Sequence, residues 1–272
     1  MKRGIGMKKI ALIGCGALGS IVAKGIVKHL SDSYTLTGVL DVVPESAEKL
    51  AAAVHTRACR SLEELLAGGP ELVLEVAGIA AVRAHGVNVL NAGRDLLIIS
   101  IGSLADAELK ARLENAARAN DRKIYLVNGA LGGLDIMQTM AMMGPTKAAI
   151  ESSKAPRSLN GAPYLGGREL PADEETLAFS GSVTDAIAGF PKNVNVAVAA
   201  CLASQCPDIA VSIRSVPGLK ENQHSVHLEN ALVTADITIR SRPDPENPKS
   251  SVSAAWSVIA LLKNLASPVF IY

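Results

Sequence analysis

A chain of 272 residues with a formal charge of +1 has room for one large or two modest domains, and no bulk charge to draw it to nucleic acid or an anionic membrane. Hydrophobic residues make up 49% but aromatics only 3%, so the core must be assembled from Ala, Val, Leu and Ile, as suits an α/β fold. No apolar run approaches the ~20 residues of a membrane span, and the start MKRGIGMKK lacks the apolar stretch and cleavage site of a signal peptide, so a cytoplasmic protein is expected.

Ile10 to Ile13 is a short branched run without polar alternation, the pattern of a parallel strand covered on both faces. Gly14, Gly16 and Gly19 follow at G-x-G-x-x-G spacing, and apolar residues at helical spacing continue from Leu18 to Leu30. The glycines therefore sit at a strand-to-helix turn, the context in which this spacing binds a dinucleotide. Gly14 permits the tight turn, Gly16 opens the backbone to a pyrophosphate, and Gly19 lets helix and strand pack closely. The free N–H groups of the helix start, where Ala17 and Leu18 lie, then face the anion. A second strand, Leu36 to Leu40, ends in Asp41, about twenty residues beyond the last glycine. A carboxylate there accepts hydrogen bonds from both ribose hydroxyls and repels a 2′-phosphate. The expected cofactor is NAD, with NADP as the alternative.

Pro44 to Val54 reads as a helix opened by proline, Thr56 to Cys59 as a short extended piece, and Ser61 with Glu64 as a capping box starting the next helix. Leu72–Val76, Leu96–Ser100 and Lys123–Val127 read as strands, Ala80–Asn91 and Ala105–Asn120 as helices. Right-handed crossovers wind this alternation into a Rossmann-type, doubly wound parallel sheet, placed at residues 1–130. Such sheets bind ligands at the carboxyl ends of their strands, which here carry Gly14, Asp41, Ala77-Gly78, Ser100-Ile101-Gly102 and Asn128-Gly129-Ala130. Nearly all are small, leaving room for ribose and nicotinamide.

From Leu131 the pattern changes. Ile136, Met140 and Met143 stand at helical spacing and are expected in a core. Extended segments then dominate: Lys147–Lys154, Thr176–Ser180, Ile209–Val216, Gln223–Glu229 and Leu232–Ser241. They suggest a second α+β domain at 131–249, built on a mixed or antiparallel sheet and carrying the substrate site. Lys192 to Ser204, beginning PKNVNV, reads as a helix, Lys154–Arg168 as a loop and Arg242–Lys249 as a linker. A helix from Ser251 to Leu265, within a closing segment of 250–272, is expected to pack back on the first domain.

Cys15, Cys59, Cys201 and Cys206 lack metal-ligand or disulfide spacing and are expected to be buried small residues, with no metal site. Of five histidines, His29, His55 and His85 read as surface or helix-end residues. The other two share the strand NQHSVHLE, where alternation puts Asn222, His224, Val226 and Leu228 on one face and Ser225, His227 and Glu229 on the other. On periodicity alone, His224 fits either a satisfied core histidine or a catalytic one.

The segments GALGGLD (129–135), KAPRSLNGAPY (154–164), FSGSVTDAIAGFPKNVNVAVA (179–199) and NQHSVHLE (222–229), following GCGALG (14–19), together resemble the L-aspartate dehydrogenase family across nearly the whole chain. The resemblance implies NAD(P)-dependent oxidative deamination of L-aspartate to iminoaspartate, then oxaloacetate and ammonia, or the reverse, with iminoaspartate supplied to NAD biosynthesis. It also implies a homodimer, His224 as the active-site residue, and cofactor contacts from Ala130 and from Asn195 or Asn193. The chain departs from the family at EVAG (75–78), where a serine is expected after the alanine, and at Ser225, where an acid often follows the histidine. A neutral His224 would accept the amine proton or activate water. Lys192 and Asn193 at the helix start, and Asn222 beside the histidine, are the expected holders of the two carboxylates, with Arg157 and Arg168 as loop alternatives. Two other readings remain: a related two-domain reductase of the homoserine dehydrogenase or dihydrodipicolinate reductase kind, and an NAD-binding protein without turnover.

Overall fold

A computed structural model of the chain describes residues 7–191, 195–242 and 252–271. It divides into two units, Met1–Val127 with Ala254–Tyr272, and Asn128–Ser253. In the first unit strands and helices alternate: β1 (Lys8–Ile13), α1 (Ala17–His29), β2 (Tyr34–Leu40), α2 (Pro44–Val54), β3 (Ala58–Cys59), α3 (Leu62–Ala67), β4 (Leu72–Glu75), α4 (Ile79–Asn91), β5 (Asp95–Ile98), α5 (Ala107–Ala119) and β6 (Ile124–Leu126). The strands lie in the order β3-β2-β1-β4-β5-β6 and every pair is parallel. This is the doubly wound arrangement expected from the sequence. The order reverses beside β1, so the ligand-binding switch point falls at the carboxyl ends of β1 and β4.

Local chemistry sets several of these boundaries. Ser61 caps α3 by accepting from the Glu64 N–H at 3.2 Å, while the Glu64 carboxylate reaches back to the Arg60 N–H at 2.9 Å. Asp106 caps α5 in the same manner, accepting from the Leu109 N–H at 3.1 Å. Ile10, Leu12, Leu74 and Leu97 line one layer of core with Val22 and Ile26 of α1. Burial of such branched and aliphatic side chains, each worth about 1.5–3 kcal/mol, substitutes for the missing aromatics.

The second unit contains α6 (Leu134–Met143), β7 (Lys147–Lys154), α7 (Pro156–Leu159), β8 (Thr176–Ser182), α8 (Val183–Gly189), α9 (Asn195–Ser204), β9 (Ala210–Ser215), β10 (Asn222–Glu229) and β11 (Thr234–Ser241). Its five strands are ordered β11-β10-β7-β9-β8, with β7 and β9 parallel and the other neighbours antiparallel, so the sheet is mixed. One face is apolar: Ile150, Val211, Ile213, Val226 and Leu228 pack with Met137 and Met140 of α6 and with Ala197 and Ala200 of α9. The opposite face is polar, with Arg214 held by Glu151 at 2.7 Å and His227 by Asp236 at 2.7 Å.

Three sequence expectations are corrected here. The buried stripe of α6 is Met137 and Met140, whereas Ile136 is only partly buried and Met143 is 46% exposed. The helix ends at Met143 with Gly144 as its cap. Cys201 and Cys206 are half-buried, not buried like Cys15 and Cys59. Residues 156–159, within the segment expected to be a loop, form α7, and residues 183–189, to which the sequence reading gave no element, form α8. The linker expected at Arg242–Lys249 lies, beyond Arg242, outside the described residues.

The last helix, α10 (Val252–Ala266), contributes Ala255, Val258, Ile259 and Leu262 to the core of the first unit. Gly25 of α1 makes room for it, because a Cβ there would come within 2.2 Å of Ile259 Cδ1. The Tyr34 hydroxyl donates to the Leu262 carbonyl at 2.8 Å and fixes the helix lengthwise. Among the described residues no helix is long and apolar enough to cross a membrane.

Candidate active site

At the carboxyl end of β1 the backbone turns through Gly14 at φ +106°, a value that favours glycine, and a Cβ there would lie 2.5 Å from the Val76 carbonyl oxygen. Gly19 is pressed on the same turn: its Cβ would fall 1.9 Å from the Gly14 carbonyl oxygen. Gly16 differs, being exposed with nothing within 4 Å of a Cβ. So Gly14 and Gly19 shape the turn, while Gly16 and Ala17 open it at the first residues of α1. That surface, with the unsatisfied N–H groups of a 13-residue helix behind it, fits a pyrophosphate.

Asp41 stands beside this turn. Its Oδ2 accepts from the Cys15 N–H at 2.6 Å and its Oδ1 from the Val43 N–H at 2.9 Å. These bonds orient the carboxylate at the end of β2, where a ribose would lie. Cys15 is buried, and burial together with the Asp41 charge pushes its thiol up to about 12, leaving it protonated and unreactive.

Glu75 closes β4, and sequence reading passed over it. It is 1% exposed, yet its carboxylate is fully engaged. Oε1 accepts from the N–H groups of Ala77 at 2.8 Å and Gly78 at 2.7 Å and from the Ser100 hydroxyl at 2.9 Å, while Oε2 accepts from the Ser100 N–H at 3.2 Å. Burial raises its pKa and these bonds oppose the rise. One carboxyl thus ties together the loops that follow β4 and β5. Ala77 is exposed and Gly78 half-buried, but Ser100 is turned inward to Glu75 and Gly102 is buried in a 3₁₀ turn at Ile101–Ala105. An acid ending the apolar run LVLE was the available signal.

In the second unit, His224 is 4% exposed on the apolar face of β10. Its Nδ1 lies 2.8 Å from the hydroxyl of Ser152, its cross-strand partner on β7. Burial pushes the imidazole down to about 3, and the nearby charge of Lys154 pushes the same way, so the ring is neutral at ordinary pH. Lys154 keeps some exposure, but burial of its ammonium lowers its pKa to about 8. Neither Ser152 nor Lys154 was singled out from sequence, although alternation along β7 sets both on the His224 face. Ser225, where the family often has an acid, points to the other face, where its hydroxyl meets Thr238 at 3.0 Å. Orientation comes instead from Ser152.

The loop carrying Ala130 lies over the same face. A Cβ on Gly132 would meet Ile239 Cδ1 at 3.0 Å, one on Gly133 would meet Ile237 Cδ1 at 2.3 Å, and Ile239 is the register partner of His224. Ala130 itself is partly buried against this unit's core. Asn222 is half-buried at the start of β10, and Asn195 is exposed as the first residue of α9. Lys192 and Asn193 lie outside the described residues. Among the described residues no group of three or more His, Cys, Asp or Glu could hold a metal ion.

A family model described as "Aspartate dehydrogenase, C-terminal" matches residues 135–265, and one described as "Homoserine dehydrogenase, NAD binding domain" matches residues 14–127. An L-aspartate dehydrogenase of Methanococcus maripaludis (strain C6) is 34% identical over 266 residues, covering 97% of this chain and 98% of its own. One of Methanocaldococcus jannaschii is 32% identical over 264 residues, covering 97% and 98%. Among solved structures, aspartate dehydrogenase from Thermotoga maritima matches with a TM-score of 0.74 at 22% identity, covering 97% of this chain and 99% of its own. A hyperthermophilic archaeal homoserine dehydrogenase in complex with NADPH matches at 0.61 and 13% identity, covering 97% and 100%; both structural matches bear on the fold. The full-length relatives above 30% identity decide the matter, and the chain belongs to the L-aspartate dehydrogenase family.

Proposed function

We propose that this chain catalyses the NAD(P)-dependent oxidative deamination of L-aspartate to iminoaspartate, which water converts to oxaloacetate and ammonia, or the reverse reaction. The observation that carries the reading is a buried imidazole, His224, hydrogen-bonded to Ser152 on the inner face of the second sheet. A group that takes a proton from an amine must enter neutral, and burial keeps this ring so. The relatives' shared name supplies the substrate.

In this reading residues 1–130 with 250–272 hold the dinucleotide and residues 131–249 act on the substrate. Gly14, Gly16, Ala17, Leu18 and Gly19 cradle the pyrophosphate, and Asp41 receives the adenosine ribose, favouring NAD. Ala77, Gly78, Ser100 and Gly102 shape the nicotinamide end, with Glu75 holding their loops and Ala130 and Asn195 completing the contacts. When bound, the cofactor takes up the hydride from the substrate Cα. His224 accepts the proton at Nε2, which requires that Nδ1 carry the hydrogen and donate it to Ser152 Oγ. Lys192, Asn193 and Asn222 are the sequence-based candidates for the carboxylates. A cytoplasmic homodimer supplying iminoaspartate for NAD biosynthesis completes the proposal.

The test is NADH formation from L-aspartate by the purified protein, and NADH consumption with oxaloacetate plus ammonia. Activity with homoserine or a dihydrodipicolinate-type substrate instead would redirect the assignment, and tight NADH binding with no turnover of any amino or imino acid would remove it.

A further inference from the structure

Two rows of side chains cross the inner face of the second sheet at the end that carries His224. The first row is Ile239, His224, Ser152 and Ile213, one residue from each of β11, β10, β7 and β9. The second lies two residues further along. Lys154 of β7 pairs with Ser215 of β9, Asn222 of β10 pairs with Ser241 of β11, and the β7–β10 register continued by one pair sets Asn222 opposite Lys154. Neighbouring strands stand about 4.8 Å apart, so Ser215 and Asn222 flank the lysine, and the two rows are separated by about 7 Å along the strands.

The second row is polar where a sheet interior is ordinarily apolar. Ser215 is 0% exposed, and its hydroxyl oxygen is buried with no hydrogen-bond partner among the described residues. A buried hydroxyl without a partner is costly, and such groups ordinarily have one, so this one is placed for something that arrives. The acids of these strands, Glu151, Glu229 and Asp236, all belong to the opposite face by alternation. The inner row therefore offers one cation, one amide and two hydroxyls, those of Ser215 and Ser241, which is the donor set of a carboxylate site.

We propose that Lys154, flanked by Ser215 and Asn222, binds the side-chain carboxylate of the substrate and is the residue that makes the enzyme select a dicarboxylate. The proposal rests on the L-aspartate reading given above. The amine lies at His224 in that reading, and the α-carboxylate sits on the same carbon as the amine, close to the first row. The row two residues further reaches the carboxylate one carbon farther out. The lowered pKa of Lys154 fits this placement, since a desolvated ammonium gains most from an anion brought beside it.

The experiment is calorimetric titration of the NADH-saturated protein with succinate and with butyrate, alongside initial rates over a range of L-aspartate concentrations, for the native chain, Lys154→Met and Lys154→Arg. Lys154→Met is expected to weaken succinate binding and raise the KM for L-aspartate by about 100-fold, as loss of a charge-assisted contact should. NADH affinity should stay within about twofold, since that contact is elsewhere, and the preference for succinate over butyrate should vanish. Lys154→Arg, which keeps the charge, should recover most of the succinate affinity. If Lys154→Met does not fold, Ser215→Ala serves as the second variant, with an expected loss of about fivefold for succinate and little for butyrate. Succinate affinity within about threefold of the native value in either folded variant would overturn the proposal, as would a fall in kcat with KM and succinate affinity unchanged. Succinate binding that depends on Lys154 in a native protein unable to oxidise L-aspartate would support this site while removing the assigned reaction.

Discussion

Ser152 Oγ and His224 Nδ1 lie 2.8 Å apart across the β7–β10 pairing, and that contact decides which nitrogen of the ring is free. Removing it in Ser152→Ala leaves the ring in place but frees it to adopt either tautomer. Turnover of L-aspartate is expected to fall about 10-fold, with NADH affinity and KM nearly unchanged, because general-base efficiency depends on the correct protonation state. Steady-state kinetics separating kcat from KM check this, and an unchanged kcat would show that Ser152 only fills space.

The glycines of the first turn separate folding from binding. In Gly19→Ala the new Cβ would collide with the Gly14 carbonyl, a backbone atom that has no room to move. A stability loss of about 2 kcal/mol or more is expected, with cofactor binding lost alongside. In Gly16→Ala the Cβ meets no protein atom, so thermal stability should stay native while NADH affinity drops at least about 10-fold, the methyl standing where the pyrophosphate approaches. Denaturant titration and NADH fluorescence on the two variants distinguish these outcomes. Equal effects on both would contradict the division of labour.

Asp41 is held by the Cys15 and Val43 N–H groups, so it is preset to meet a ribose. Asp41→Ser is expected to narrow the ratio of the NAD and NADP specificity constants by about 10-fold or more, since the repulsion of a 2′-phosphate disappears with the charge. An unchanged ratio would remove Asp41 from the ribose site.

Glu75 offers a test of the loops it joins. Glu75→Leu would leave the Ala77, Gly78 and Ser100 donors without their acceptor. At about 1–3 kcal/mol for each buried group left unpaired, a loss of at least about 3 kcal/mol is expected, with weaker NADH binding in any fraction that folds. Urea denaturation measures it directly, and a change below about 1 kcal/mol would show that the loops hold without the carboxyl.

The pH dependence of stability follows from His224. Its folded pKa of about 3 lies below the ordinary histidine value of 6.5, so the unfolded chain binds the proton more readily across that interval. Stability due to this group is complete above about 6.5 and is lost as pH falls towards 3, with a slope of at most about 1.4 kcal/mol per pH unit. Lys154 acts in a higher window, where the folded pKa of about 8 against 10.5 makes stability rise with pH between those values. Denaturant midpoints measured across both windows should show the acid slope shrink in His224→Asn, and an identical slope in that variant would place the titration elsewhere.

The parts of the fold legible in the sequence are those set by local chemistry. The glycine turn, the capping box at Ser61 and the proline-led helix from Pro44 to Val54 all depend on residues a few positions apart, and each forms where its pattern stands. Alternation in NQHSVHLE put His224 on the buried face and His227 on the exposed one, as observed. Helix α8 was missed although its signal was present: Ser182 accepts from the Asp185 N–H at 3.1 Å, the same kind of cap that marked α3. Ser152, Lys154 and Ser215 were not legible, because what makes them notable is strand register, which joins residues more than sixty positions apart. Glu75 was legible in part, as a lone acid closing an apolar strand, but its three partners, Ala77, Gly78 and Ser100, come from two loops that only the folded sheet brings together.

In the proposed reaction the imidazole of His224 takes the proton that L-aspartate must lose. Its most direct test is the rate of NADH formation from L-aspartate in His224→Asn against the native chain, with NADH affinity measured on the same samples. Turnover is expected to fall by about 100-fold or more with cofactor affinity unchanged, the size of effect a positioned general base supplies. Native turnover in the variant would contradict it.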